Sequence, residues 1–190
     1  MYGVLSLQTG RLEQSIQLIG KATEIDPDFG YFHYDHGNAY FAAEQFEPAI
    51  DAYNQAIRCD PTLNGVLVNL GNAYFGAGRL YEALTTYRSA LAINPEAADV
   101  RYNMCIVLER IGIHDEALAT VEHFVQQSPD DAEGHYFKGV ILEGIGRIGD
   151  AIDSFDKALT LNPEHVEAWY NLHGCLYGTE AGRRRALQCS

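Results

Sequence analysis

Residues 161–172 read LNPEHVEAWYNL. Asn162-Pro163 marks a stop between helices, because proline lacks an N–H and biases the residue before it away from helix. Ala168 to Leu172 then reads as helix, with two large aromatics and an amide on it. The same phrase returns along the chain. Prolines stand at Pro27, Pro61, Pro95, Pro129 and Pro163, 34 residues apart each time; Pro48 is the one other. Small residues keep that period at Gly3, Gly37, Gly71, Cys105 and Gly139, and at Ser15, Ala49, Ala83, Ala117 and Ala151. A third small row, Ala22, Ala56, Ala90 and Ala158, is interrupted by Phe124. Large side chains recur at Ile19, Tyr53, Tyr87, Val121 and Phe155, and at Tyr40, Tyr74, Leu108, Leu142 and Leu176.

Each row has a physical task. Within one period, Leu67, Leu70 and Tyr74, then Leu80, Ala83, Leu84, Tyr87 and Leu91, fall at helical spacing. The spacing predicts two amphipathic helices, roughly 65–77 and 81–93. Gly10, Gly78, Gly112 and Gly146 lie midway through their periods and close the first helix of each, since glycine takes the left-handed conformation cheaply. Gly71 and Ala83 are small so that paired helices can approach closely. Pro48 falls in the first turn of a helix, where a missing N–H costs little. One helix pair cannot bury its apolar face alone, so the pairs must stack on their neighbours. The expected fold is all-α: a right-handed solenoid of antiparallel helix pairs.

A 34-residue period with these glycine, alanine and proline rows resembles the tetratricopeptide repeat (TPR) family. Leu70-Gly71-Asn72-Ala73-Tyr74 and Trp169-Tyr170-Asn171-Leu172 are close to that family's first-helix pattern. The resemblance spans nearly the whole chain, read as a single array over 1–190. Full units run 30–63, 64–97, 98–131 and 132–165. Residues 1–29 read as a partial unit whose first helix begins mid-way. Residues 166–190 read as a degenerate or truncated unit, with Gly174 and Ala186 each one place late. No polar cap is evident there, so the chain reads as a piece of a longer array or one whose end a partner covers.

Bulk properties exclude several functions. The formal net charge of −13 repels phosphate and argues against nucleic-acid binding. No apolar run is long enough to span a membrane. The first residues, MYGVLSLQTGRLEQS, lack the basic start, apolar stretch and cleavage site of a secretory signal. Cys59, Cys105, Cys175 and Cys189 form no CxxC pair and read as free thiols in a reducing, cytoplasmic setting. There is no phosphate loop, nucleophile elbow or HExxH, so neither an enzyme nor a cofactor is expected. His33 and His36 are three apart, a spacing that can hold a metal. Both occupy rows that elsewhere carry Leu67, Leu70, Trp169 and Leu172, so they are expected to pack, with one nitrogen bonded. His123, His135, His165 and His173 show no convergent partners. Arg183-Arg184-Arg185 reads as a solvated tail.

The resemblance implies that first helices line a groove that binds peptides. Trp169 and Leu172 are then expected to pack inward, with Tyr170 and Asn171 rotated toward the groove. The same turn of helix carries Asp35, Asn69, Asn103, Phe137 and Asn171; a second row holds Asn38 and Asn72, then Ile106 and Val140. Beside them run Tyr34, Val68, Tyr102, Tyr136 and Tyr170. Amides can pair with any peptide backbone, and tyrosine offers a ring with a wet hydroxyl. This asparagine ladder resembles the groove of the O-linked N-acetylglucosamine transferase array, interrupted here by Asp35 and Phe137. Acidic residues also align. Asp99, Glu133 and Glu167 sit in first turns, where the helix dipole rewards them. Glu109 and Glu143 sit near helix ends, where it does not. The half after residue 98 is therefore expected to form an acidic wall suited to a Lys- or Arg-bearing segment, with Arg101 and Arg110 acting against it. The basic clamp of the family's chaperone-tail type is missing, since its faces carry Tyr34, Asn38, Asn69, Asp99 and Asn103.

The expected function is a protein-protein interaction scaffold. The alternatives are the TPR portion of a larger enzyme, such as a peptide O-glycosyltransferase, and a homo-oligomer assembled through the uncapped last repeat.

Overall fold

The computed structural model describes residues 2–63 and 65–178, with side-chain surroundings from residue 11 onward. Ala186, the Arg183–Arg185 run and Cys189 lie outside them. The described residues form ten helices in two compact units, 1–95 and 96–190. The first unit holds α1 (Tyr2–Ile25), α2 (Gly30–Ala42), α3 (Phe46–Cys59), α4 (Val66–Gly76) and α5 (Leu80–Ile93). The second holds α6 (Ala98–Ile111), α7 (His114–Gln127), α8 (Ala132–Gly144), α9 (Ile148–Leu161) and α10 (Val166–Gly178). Within each unit, every helix packs on the next. First helices also meet across repeats, α2 with α4, α6 with α8 and α8 with α10. Each unit thus has a face made of first helices alone.

Local chemistry sets the turns. Asp60, Asn94, Ser128 and Asn162 each precede a proline and leave the helical region (φ from −127° to −144°), which ends the second helix of a pair. Gly78, Gly112 and Gly146 take φ of 74°, 84° and 78°. The amide following each donates to a carbonyl five residues back: Arg79 to Tyr74, Ile113 to Leu108 and Arg147 to Leu142. Glu44 occupies the same row and adopts the same turn at φ 57°, with Gln45 N–H bonded to Tyr40 O. Gly10 departs from expectation: it lies inside the continuous helix α1 and closes no helix there. A glycine permits a left-handed turn without requiring one, and inside a helix it costs only about 1 kcal/mol.

The small and large rows meet as pairs. A Cβ built on Gly37, Gly71 or Gly139 would lie 2.5 Å from a ring carbon of Tyr53, Tyr87 or Phe155. Those rings are at most 1% exposed, and burying each contributes about 1.5–3 kcal/mol. In the third full unit the small residue is the larger Cys105, and the facing row carries the smaller Val121; both are 1% exposed. Volume is conserved by a paired exchange. Phe124, which interrupts the alanine row, has the same explanation, because its ring lies against Gly134.

Candidate functional site

In the first unit the amides and tyrosines of the first-helix face are bonded to one another. Tyr53 donates its hydroxyl to Asn38 Oδ1 (2.9 Å), which also accepts from Asn69 Nδ2 (2.9 Å). Asn69 Nδ2 also reaches the Tyr34 hydroxyl at 3.1 Å. One repeat later Tyr87 donates to Asn72 Oδ1 at 2.6 Å. These pairs account for the break in the amide row. Asn38 and Asn72 occur where the second helix supplies Tyr53 and Tyr87; Ile106 and Val140 occur where it supplies Val121 and Phe155, which have no hydroxyl. A buried hydroxyl demands a partner, and an apolar side chain beside a polar one would leave that group unsatisfied.

The second unit is different. Around the start of α6 and the α7–α8 turn lies a cavity of about 460 Å³, lined by Ala98, Asp99, Tyr102, Asn103, Phe124, Ser128, Asp131 and Glu133. Tyr102, Asn103 and Asp99 belong to the expected rows; Phe124, Asp131 and Ser128 were not singled out for binding. Asp131 caps α8, its Oδ1 accepting from Gly134 N–H at 2.7 Å. The rings of Tyr102 and Phe124 are 5.7 Å apart, and Phe137 stands edge-on to Tyr102 at 5.1 Å. Phe137 thus supports the tyrosine stripe in place of an amide. The Tyr102 hydroxyl lies 3.4 Å from Glu133 Oε1. Burial, then the charges of Glu133 and Asp131, raise its pKa above the ordinary tyrosine value. Arg101 is buried and directs its guanidinium to Gln127 at 2.5 Å, so it does not line the cavity.

One repeat further on, Tyr136 meets His165 with ring centroids 4.6 Å apart. His165 has convergent partners, contrary to expectation. Its Nε2 lies 3.1 Å from Glu133 Oε2 and its Nδ1 3.2 Å from Glu167 Oε2, while Ala168 N–H points at Nδ1 from 3.4 Å. The sequence hid this because Glu133 lies almost one repeat away. Burial, Glu167 and Glu133 raise the Tyr136 pKa, and a hydrogen bond with Asn171 opposes them. Glu143 and burial act on Cys175, burial more strongly, pushing its thiol up to about 11. Glu109 is half-buried beside Cys105.

One expectation for side-chain direction is overturned. Trp169 does not pack inward: it is 55% exposed, with its indole N–H bonded to Pro163 O at 2.9 Å. Leu172 does, at 5% exposed, and Tyr170 is 79% exposed. The indole N–H needs an acceptor when it leaves water, and the Pro163 carbonyl in the turn before α10 supplies one at the surface. His33 and His135 occupy the same row and make the same bond, to Pro27 O (2.7 Å) and Pro129 O (2.9 Å). His36 packs, stacked on Tyr40 at 4.4 Å, but its buried Nε2 has no hydrogen-bond partner among the described residues. Among those residues no cluster of His, Cys, Asp or Glu is arranged to hold a metal ion.

The periodic rows and their helix pairs have counterparts in known proteins. Models described as TPR repeat match residues 37–78 and 71–112, and models described as tetratricopeptide repeat match 132–165 and 1–29. The chain belongs to the tetratricopeptide repeat family. No curated protein matched it by sequence. Among solved structures, YrrB, described as a TPR protein with an unusual peptide-binding site, is 25% identical. It superposes with a TM-score of 0.77, covering 88% of this chain and 86% of YrrB. MamA shares the fold at 24% identity and a TM-score of 0.77, over 86% of this chain and 96% of its own. TTC0263, a thermophilic TPR protein from Thermus thermophilus, does so at 21% and 0.63, over 92% and 95%. The tetratricopeptide fold makes this chain an interaction scaffold in general character. Among the described residues no helix is long and apolar enough to cross a membrane.

Proposed function

We propose that this TPR chain is a non-catalytic cytoplasmic scaffold that holds a peptide segment of a partner protein, and that the segment carries basic side chains. The observation behind this reading is the cavity at α6–α8, whose lining among the described residues includes three carboxylates and no lysine, arginine or histidine. Its continuation along the first-helix face supplies Tyr136, Asn171 and Tyr170, with Glu109 and Glu143 on the same helices. A groove of one sign attracts a segment of the other and raises its association rate. The first unit contributes less, because Tyr34, Asn38, Asn69 and Asn72 already bond within the fold. YrrB, which has a peptide-binding site, supports the reading by its likeness.

Titration with a basic and an acidic peptide of equal length tests the proposal. The basic peptide is expected to bind more tightly, with an affinity that falls as salt rises. Tighter binding of the acidic one would end the reading.

A further inference from the structure

We propose that the cavity bounded by Asp99, Tyr102, Asn103, Phe124, Asp131 and Glu133 is a recognition pocket for one arginine side chain. This rests on the peptide-scaffold reading and gives it a specificity. The pocket's size, about 460 Å³, falls within the range of roughly 300–1,000 Å³ spanned by sites for small ligands.

The decisive observation lies one repeat away. Shifting Asp99, Tyr102 and Glu133 by the 34-residue period gives Glu133, Tyr136 and Glu167. Those three surround a planar nitrogen ring: His165 lies against Tyr136, with one nitrogen near each carboxylate. His165 occupies the row of Asp131, and each residue meets the backbone N–H three positions on, Asp131 that of Gly134 and His165 that of Ala168. The later repeat therefore fills from within a place that the earlier repeat leaves open. What fills it is flat, turns its Nε2 to Glu133 and rests on a tyrosine. A ligand completing the earlier site should have the same character.

The open site adds features that favour arginine. Phe124 replaces the alanine of other repeats, giving a second aromatic wall tilted 49° to Tyr102. Asp99 is exposed and lines the cavity. Guanidinium is planar, stacks on aromatic faces and presents several donors in a fixed fork to carboxylates. The lysine ammonium is a strongly hydrated point charge with no face to stack.

The test titrates the folded chain with the acetylated N-methylamides of arginine, lysine and citrulline, following backbone amide resonances. Citrulline keeps the shape of arginine and loses its charge. Arginine is expected to shift the amides near Asp99–Asn103 and Asp131–Gly134, and to bind at least about tenfold more tightly than citrulline, the scale of charge-assisted bonds. Lysine is expected to fall between them. Asp131→His copies the arrangement at His165, keeps a capping acceptor and should abolish the arginine response without loss of helicity. Equal binding of arginine and citrulline overturns the pocket, as does undiminished arginine binding to Asp131→His. If a basic peptide still binds while these probes do not, the pocket fails and the groove reading stands. If no basic peptide binds, the groove reading fails as well.

Discussion

Replacing Gly71 with alanine should destabilise the first unit even though alanine is the better helix former. The added Cβ would sit 2.5 Å from Tyr87 Cε1 and 2.7 Å from Cδ1. Carbon atoms in contact prefer about 3.5–4.0 Å, so the ring would have to move by roughly 1 Å. It has little freedom to do so, being 1% exposed with its hydroxyl tied to Asn72 at 2.6 Å. Overpacking of this kind costs about 1–3 kcal/mol, against a helix-propensity gain of about 0.5–1 kcal/mol. Gly174→Ala is the matched control, because nothing among the described residues lies within 4 Å of its Cβ position in α10. That variant receives only the gain. The difference between the two therefore isolates packing, at about 1–3 kcal/mol. For a chain of this size each kcal/mol moves Tm by about 2–4 °C. Circular dichroism on heating and in urea measures both; urea matters because repeat arrays need not unfold in one step. A rescue sharpens the test: Gly71→Cys with Asn72→Ile and Tyr87→Val transplants the set Cys105, Ile106 and Val121. It should recover stability relative to Gly71→Cys alone. Equal shifts for Gly71→Ala and Gly174→Ala would refute the pairing of small and large rows.

Other outcomes follow from single contacts. Glu44→Gly should stabilise by about 1 kcal/mol, because a left-handed turn at φ 57° strains every residue with a Cβ; a lower urea midpoint would contradict this. Tyr87→Phe should cost about 1 kcal/mol by removing the hydrogen bond from the Tyr87 hydroxyl to Asn72 Oδ1; an unchanged urea midpoint would contradict this. Asp131→Ala should cost about 0.5–2 kcal/mol through loss of the α8 cap, read from urea denaturation. Cys105 makes stability pH-dependent: burial, then Glu109, push its thiol from 9.0 up to about 12. The folded state holds this proton more tightly, so the contribution is complete below pH 9 and lost as pH rises toward 12. Denaturation midpoints in alkaline buffers should therefore fall less steeply for Cys105→Ala than for the parent chain.

The sequence by itself determined the helical pairing, its period and most of its turns, because these depend on neighbours in the chain. Proline before each unit, glycine at Gly78, Gly112 and Gly146, and the rows of Gly71 with Tyr87 act over one hairpin. Glu44 shows the limit of residue preference: the turn forms there without its glycine, because the packed helices on either side impose it. Gly10 shows the converse, a permissive residue with no turn. For the site, Tyr102 and Asn103 of the expected rows line one cavity together with Glu133. Only the tertiary structure decided that Asn38 and Asn69 bond inside the fold, that Arg101 turns to Gln127, and that Phe124 and Asp131 join Asp99 around a cavity. Such matters depend on what lies opposite a side chain in space. A repeat places that partner one helix or one repeat away, where periodicity specifies the position but not which hydrogen bonds will be made.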